Sequence, residues 1–381
     1  MDHEELSVER ARIDALDTEI LKLLQERVGC ALRVGAKKKE LGLPLFDPAR
    51  ESRIYDRLRA ANAALNQEQS TAAGSRESTL PDAAIVAIFR EIISACRNAE
   101  HPTRVAFLGP AGTNTQEAAA QYFGSAFSPL PCGTPDEVCN ATSRGALAGG
   151  ADYGVLAIEN STHGLVSPTL DLLANSPVSI CAEIKLNIHA CLLSNTELGR
   201  ITTVYSHEQA LAQCRGWLGS HLPGAALVPV TSTARGAEMA KSETGAAAIG
   251  AAIAANIYGL QIVAANIEDL ANNTTRFFVV GKTGDGSGAS TPSPTGRDKT
   301  SLTFLVPHKA GALVEVLGVF TKHGVNLSMI QSRPTRQATW EYRFFADVQA
   351  HRDDASLQAA LRELENHTVS YKILGSYAEA E

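Results

Sequence analysis

Apolar residues recur at helical spacing near the start of the chain. Ile13, Leu16, Ile20, Leu23, Leu24, Val28, Ala31 and Val34 form one such series, which predicts one face of an α-helix. The pattern runs from about Glu4 to Glu40 and stops before Gly42 and Pro44, a helix-ending pair. A helix of that length needs a partner to cover its apolar face, so a bundle or dimer is expected. Asp47 and Pro48 suit the N-cap and first turn of a second helix. The polar, small stretch from 66 to 79 predicts a flexible loop, and a third helix is expected over Asp82 to Ala99.

From Arg104 the pattern changes to short apolar runs that end in polar clusters. Arg104 to Leu108 runs into Gly109-Pro110-Ala111-Gly112-Thr113-Asn114-Thr115 and then an Ala-rich helix. Tyr153 to Ile158 runs into Glu159-Asn160-Ser161-Thr162-His163-Gly164, and Thr203 to Tyr205 into Ser206-His207-Glu208-Gln209 and a helix carrying Gln213 and Cys214. Ile184 to Leu193 reads as strands around His189. Gly245 to Ile267 is uncharged but Ala- and Gly-rich, with Asn256, Gln261 and Asn266 inside it. It reads as a buried helix, Ala246 to Ile257, followed by a strand, not as a membrane span. The alternation predicts an α/β region with a mainly parallel sheet. Its polar clusters then fall at the strands' carboxyl ends, where such folds hold ligands. The run Asn272 to Val280 passes from polar turn to apolar strand, with Thr275-Arg276 at the junction. A hydroxyl beside a guanidinium there can bind an oxygen next to a carboxylate. The Gly109–Gly112 loop lacks both the GxGxxG spacing and the Walker Lys, so a carboxylate suits its amides better than a phosphate.

Thr283 to Gly296 is a Gly/Ser/Pro linker. Beyond it, strands at Thr300–Pro307, Asn326–Gln331, Thr339–Val348 and Val369–Gly375 interleave with helices at Ala312–His323 and Ser356–Glu365. That βαββαβ order is the ferredoxin-like α+β unit. The chain therefore divides into an all-α domain (1–100), an α/β domain (104–282), a linker (283–298) and a ferredoxin-like domain (299–381). Hydrophobic residues at 44% and charged residues at 20% fit globular domains. A net charge of −7 argues against nucleic acid as a partner. Seven Cys without a CxxC pair read as reduced thiols and not as disulfides or a zinc site. The acidic start MDHEELSVER is no signal peptide, so a cytoplasmic location is expected. His189, His207 and Cys214 are not read as nucleophile–base machinery, because no GxSxG elbow is present and nothing near Cys214 lowers its pKa.

Arg27 and Lys38 are eleven residues apart, close to three helical turns, so they share a face. Arg10 lies roughly a quarter-turn off that face, so it does not easily serve the same pocket from its own helix, whereas a partner chain's Arg10 could. Without a family context these cations read as a solvated face. The block ERARIDALDTEILKLLQERVGCALRVGAKKKELGLPLFDPARE resembles the all-helical, intertwined-dimer chorismate mutases. The resemblance implies that Arg10 (from the partner), Arg27, Lys38, Asp47, Arg50, Glu51 and Cys96 bind chorismate. Lys38 and Glu100 would act on the ether oxygen of the Claisen rearrangement. A Glu100 that donates a hydrogen bond there must be protonated, so its pKa is expected to be raised by burial.

FLGPAGTNTQEAA, YGVLAIENSTHG, VYSHEQALAQC, STARGAEMA, IYGLQIVAANIED and NNTTRFFVVG resemble, in order, the motifs of prephenate dehydratases. That family implies two α/β lobes around a cleft, like a periplasmic binding protein, divided here at about 183 and 265. Thr275 would serve the departing hydroxyl of prephenate and Arg276 a carboxylate. Thr113, Thr115, Glu159, Asn160, Ser161, Ser206 and Gln213 would line the pocket. Aromatisation drives the reaction, so no metal or cofactor is implied. KTSLTFLVPHKAGALVEVLGVFTKHGVNLSMIQSRP resembles an ACT domain, with Gly311, Ala312, Leu313, Val314, Gln331, Ser332, Arg333 and Pro334 at its phenylalanine site. Gln331 stands where the family has Glu. The order implies a homodimeric or homotetrameric enzyme taking chorismate to prephenate to phenylpyruvate, with phenylalanine as effector. A dehydratase with a merely dimerising helical module stays open, as do arogenate as substrate and an amino-acid sensor of the same build.

Overall fold

The computed structural model describes residues 3–41, 48–71, 80–282, 292–335 and 341–380. The chain divides into two compact units, Met1–Thr103 with Phe123–Ser128, and Arg104–Tyr122 with Pro129–Glu381.

The first unit is helical: α1 (His3–Glu40), α2 (Pro48–Thr71) and α3 (Asp82–Glu100). Glu4 and Glu5 in the first turn of α1 and Lys37, Lys38 and Lys39 in the last complement its macrodipole. The 38 residues of α1 span about 57 Å. Most of its apolar stripe is uncovered within the chain, Ile13 being 54% exposed, Ile20 52% and Leu23 59%. The stretch expected to be a loop from 66 to 79 is helical as far as Thr71; its Gln and Glu are good helix formers, and 72–79 lie outside the described residues. So does the expected cap, Asp47.

The second unit holds three sheets. The first is built from β1 (Arg104–Leu108), α4 (Asn114–Phe123), β2 (Ser128–Cys132), α5 (Pro135–Arg144), β3 (Tyr153–Asn160), β4 (Gly164–Leu165), α6 (Ser167–Asn175) and β5 (Val178–Asn187). The second comprises β6 (Cys191–Ser194), β7 (Thr203–His207), α7 (Glu208–Gln213), α8 (Arg215–His221), β8 (Ala226–Val230), α9 (Thr233–Ser242), β9 (Ala246–Gly250), α10 (Ala252–Tyr258) and β10 (Gln261–Ala264). The chain then returns to the first sheet as β11 (Thr274–Lys282), giving the order β2-β1-β3-β11-β5 there, with β4 on β3, and β10-β6-β9-β7-β8 in the second. The third sheet follows as β12 (Asp298–Leu305), α11 (Ala312–Lys322), β13 (Leu327–Pro334), β14 (Tyr342–Val348), α12 (Ala355–Leu364) and β15 (Ser370–Ala378), ordered β13-β14-β12-β15. This is the expected ferredoxin-like arrangement.

Two expectations change. The sheets are mixed, not mainly parallel: β11 runs antiparallel to both β3 and β5, because it re-enters the first sheet from the second lobe. The Ala-rich segment 246–257 is not one helix but strand β9 followed by α10. Its small residues suit a central strand, all five residues of β9 being buried. The first sheet also extends through Asn187, past the expected lobe boundary at 183.

Candidate functional sites

In the helical unit the charged residues of α1, α2 and α3 converge. Arg27 Nη1 donates to Cys96 Sγ at 2.7 Å. Glu100, the last residue of α3, lies against Gly35, where an added Cβ would sit 2.7 Å from Glu100 Oε2. Burial pushes the Glu100 carboxyl above its ordinary value, and Lys38, Arg97, Arg27 and Lys39 pull it back only in part. The direction expected from the sequence is therefore present. Glu51 is engaged by Arg97 Nη2 at 2.6 Å, a cation the sequence reading passed over. Arg10 and Arg50 are exposed.

In the second unit a cleft of about 520 Å³ lies between the first two lobes, lined by residues that include His163, Gln209, Gln213, Glu268 and Asn273. Behind the lining residues Thr162, His163 and Asn273 lies a hydrogen-bonded set of neutral groups. Asn160 Nδ2 donates to Thr275 Oγ1 at 2.8 Å and to Asn273 Oδ1 at 2.7 Å. Asn160 Oδ1 accepts from the backbone N–H of Thr162 and of His163, each at 3.1 Å. Ser161 Oγ donates to Asn272 O and accepts from Thr274 N. With its oxygen taken by Asn160, the Thr275 hydroxyl keeps its own hydrogen to give. Gln209 Nε2 reaches His163 Nδ1 at 2.9 Å across the cleft.

The two segments that cross between the lobes are tied together beside this cleft. His189 Nδ1 lies 2.8 Å from Glu268 Oε1, and Ala190 N donates to Glu268 Oε2. Burial opposes the Glu268 charge, but these bonds outweigh it and hold the carboxyl below its ordinary value. Burial, then Asp269 and Glu268, push the Cys214 thiol up to about 12, which keeps it protonated. His207 caps α7, accepting from Gln209 N.

Three expected pocket residues turn elsewhere. Successive strand residues face opposite sides, so Arg276 points away from the side Thr275 shares with Asn160. Its guanidinium is held by Glu183 and Asp347 and is not free for a substrate carboxylate. Burial opposes its charge, but Tyr377, Asp347 and Glu183 push the guanidinium above its ordinary value. Glu159 follows it, 3.9 Å from Nη1. Ser206 is fully buried and gives its hydrogen to Ile249 O at 2.7 Å. Thr113 Oγ1 donates to Leu108 O, shaping the turn into α4, where Thr115 is buried.

In the third sheet, Gly311 takes a left-handed φ of 81° just before α11, and Val314 is 70% exposed. Gln331, Ser332, Arg333 and Pro334 lie on the edge strand β13. Arg333 reaches Asp171 of α6, Nη2 to Oδ2 at 3.0 Å, and Gln331 Nε2 donates to Ser332 O.

Family models for chorismate mutase type II, prephenate dehydratase and the ACT domain match residues 9–101, 105–285 and 300–366 in turn. A bifunctional chorismate mutase/prephenate dehydratase from Aquifex aeolicus is 40% identical over 378 residues, covering 99% of both chains. The chain belongs to this bifunctional family. Among solved structures, the prephenate dehydratase from Arthrobacter aurescens in complex with L-Phe is 37% identical, with a TM-score of 0.65 over 73% of this chain and 90% of that one. GqqA, described as a novel type of quorum quenching acylase, is 30% identical, with a TM-score of 0.66 over 73% and 98%.

Both candidate sites thus contain groups that motif matching did not single out. In the mutase unit Arg97 was legible as one turn beyond Ile93 on the face of α3 that meets the other helices. In the dehydratase, Asn273 and Gln209 stood inside the quoted motifs but lacked the charge that draws attention. Among the described residues, no helix is long and apolar enough to cross a membrane.

Proposed function

We propose that the helical unit rearranges chorismate to prephenate, and that the cleft of the second unit dehydrates and decarboxylates prephenate to phenylpyruvate. The Claisen step forms no covalent intermediate. It needs cations that hold the dicarboxylate in its compact conformer and donors for the ether oxygen. Arg27 serves a carboxylate, Lys38 and protonated Glu100 the ether oxygen. Arg10 is supplied by a second copy, whose α1 also covers the exposed stripe of the first; Arg50, Asp47 and Glu51 complete the pocket.

In the cleft, the ring hydroxyl of prephenate leaves only if a proton or strong hydrogen bond reaches it. Thr275 donates that bond while Asn160 fixes its oxygen; this one contact carries the assignment. Asn273, Ser161, Gln213, Thr113 and Thr115 shape the pocket. Phenylalanine binds at Gly311–Val314 and Gln331–Pro334, between ACT domains of two chains, and lowers the dehydration rate. The enzyme is a cytoplasmic homodimer or homotetramer that uses no metal or cofactor.

The test is a product time course from purified chorismate and, in parallel, from prephenate, with and without phenylalanine. Phenylpyruvate from both, suppressed by phenylalanine, is expected. Phenylpyruvate from prephenate alone would reduce the helical unit to an assembly module.

A further inference from the structure

Arg276 links the dehydratase sheet to the ACT domain. Its guanidinium, 12% exposed, ion-pairs through Nε with Glu183 of β5 and lies 2.6 Å through Nη2 from Asp347 Oδ2 of β14. It sits 4.8 Å from the Phe278 ring, and Nη2 reaches Tyr377 Oη at 3.3 Å. Asp347 Oδ1 accepts from Ser301 Oγ at 2.6 Å. Lys299 Nζ completes the set, 3.3 Å from Glu183 Oε2. Glu183 and Asp347 are the buried anions of this set, their side chains 0% and 2% exposed, while the more exposed Glu159 and Glu379 approach Arg276 and Lys299 from its rim, at 3.9 and 3.1 Å. Asp347 Oδ2 has no aligned hydrogen bond among the described residues, so the close guanidinium is what compensates it.

Thr275 is tied to this cluster by the backbone. Along β11, Thr275 opposes Asn160 and Arg276 opposes Glu159, but Phe277 opposes Ala157, so β3 carries an extra residue beside Arg276. Such a bulge re-aims the side chains around it. The anchored Arg276 stands at the bulge, and the Thr275–Asn160 pair lies immediately beyond.

We propose that Asp347 of the ACT domain is a positioning residue of the dehydratase: by gripping Arg276 from the far face of β11, it fixes the Thr275 hydroxyl in the cleft. This rests on the role assigned to Thr275 above. The charge pair works through geometry and touches no reacting atom, so its loss lowers turnover more than substrate affinity.

The experiment is steady-state kinetics of full-length Asp347→Asn on prephenate, with the mutase rate from chorismate and the melting curve of the same preparation. Asn keeps the shape and the bond from Ser301 but loses the charge. The expected result is a fall in dehydratase kcat of about tenfold with KM within about twofold and the mutase rate unchanged. Arg276→Lys, which loses the fork, should show the same kcat-selective fall. A dehydratase kcat within about twofold of wild type overturns the proposal. So does a loss that disappears at temperatures where the variant is fully folded. Thr275→Ala in the same assay separates the two ideas. A fast Asp347→Asn beside a slow Thr275→Ala sinks only the positioning role, whereas a fast Thr275→Ala sinks the assignment beneath it.

Discussion

The two candidate sites of this chain are built from different chemistry. In the mutase unit the converging groups are charged: Arg27, Lys38, Arg97, Glu51 and Glu100. In the dehydratase cleft the groups around Thr275 are neutral: Asn160, Asn273, Ser161 and backbone amides. The contrast follows the reactions. A rearrangement that shifts charge inside a dianion is served by fixed charges. An elimination that must deliver hydrogen to a poor leaving group is served by a hydroxyl whose hydrogen has been left free. The carboxylates that line the cleft, Glu208, Glu268 and Asp269, are not among the hydrogen-bond partners of Thr275, and the Arg276 cluster stands on the other face of β11, where it locks structure.

The largest effect that separates the sites is expected from Thr275→Ala. Dehydratase turnover should fall by about 10²–10⁴-fold, the usual worth of a positioned proton donor, with mutase rates unchanged in the same tube. Near-normal turnover would remove the neutral site's central member. Asn160→Ala should come next, because it frees Thr275 Oγ1 and unties Thr162 and His163 together. A charge-free hydrogen bond contributes on the order of 1 kcal/mol and an orphaned partner costs more, so a loss of about ten- to a hundredfold in kcat is expected. An Asn160→Ala enzyme at full speed would show that the network is scaffolding alone.

How much of each site was legible follows the same contrast. The mutase cations lie on long helices, where a period of 3.6 makes Arg27 and Lys38 neighbours on paper. The dehydratase motifs located the cleft but not the direction of each side chain. Thr275 and Arg276 are adjacent in a motif, and adjacency on a strand means opposite faces; that reading was available and alters Arg276 from ligand to anchor. Ser206 was not legible, since its burial depends on β9 supplying Ile249 O. Nor was Asp347, which reaches Arg276 from 71 residues further along the chain. The ferredoxin-like order was readable strand by strand, whereas the mixed sheets were not, because the antiparallel return of β11 is set by the lobes' connection and leaves no local pattern.

A smaller, pH-dependent effect probes the charged site. The Glu100 pKa is raised by burial, and in the proposed role the form that donates to the ether oxygen is the protonated one. Mutase activity is therefore full below that pKa and lost as pH rises through it. In Glu100→Gln the donor cannot ionise, so the alkaline limb should flatten while the dehydratase pH profile stays the same. Identical alkaline limbs in the two enzymes would assign the fall to another group.

The finest test of the charged site is Gly35→Ala. Gly35 lies within α1, where Ala is the better residue by about 1 kcal/mol, so the substitution should not lower the melting temperature through the helix itself. The added Cβ would, however, stand 2.7 Å from Glu100 Oε2, and the carboxyl is the end of a side chain that can swing aside. The expected outcome is a mutase rate reduced several-fold, with the dehydratase untouched and the helical unit no less stable. If Glu100 has moved, the alkaline limb should move with it, because the same displacement changes how deeply the carboxyl is buried. A Gly35→Ala enzyme with unaltered mutase rate and pH profile would show that Glu100 has room to serve the ether oxygen from elsewhere, and that the close approach at Gly35 is a matter of packing.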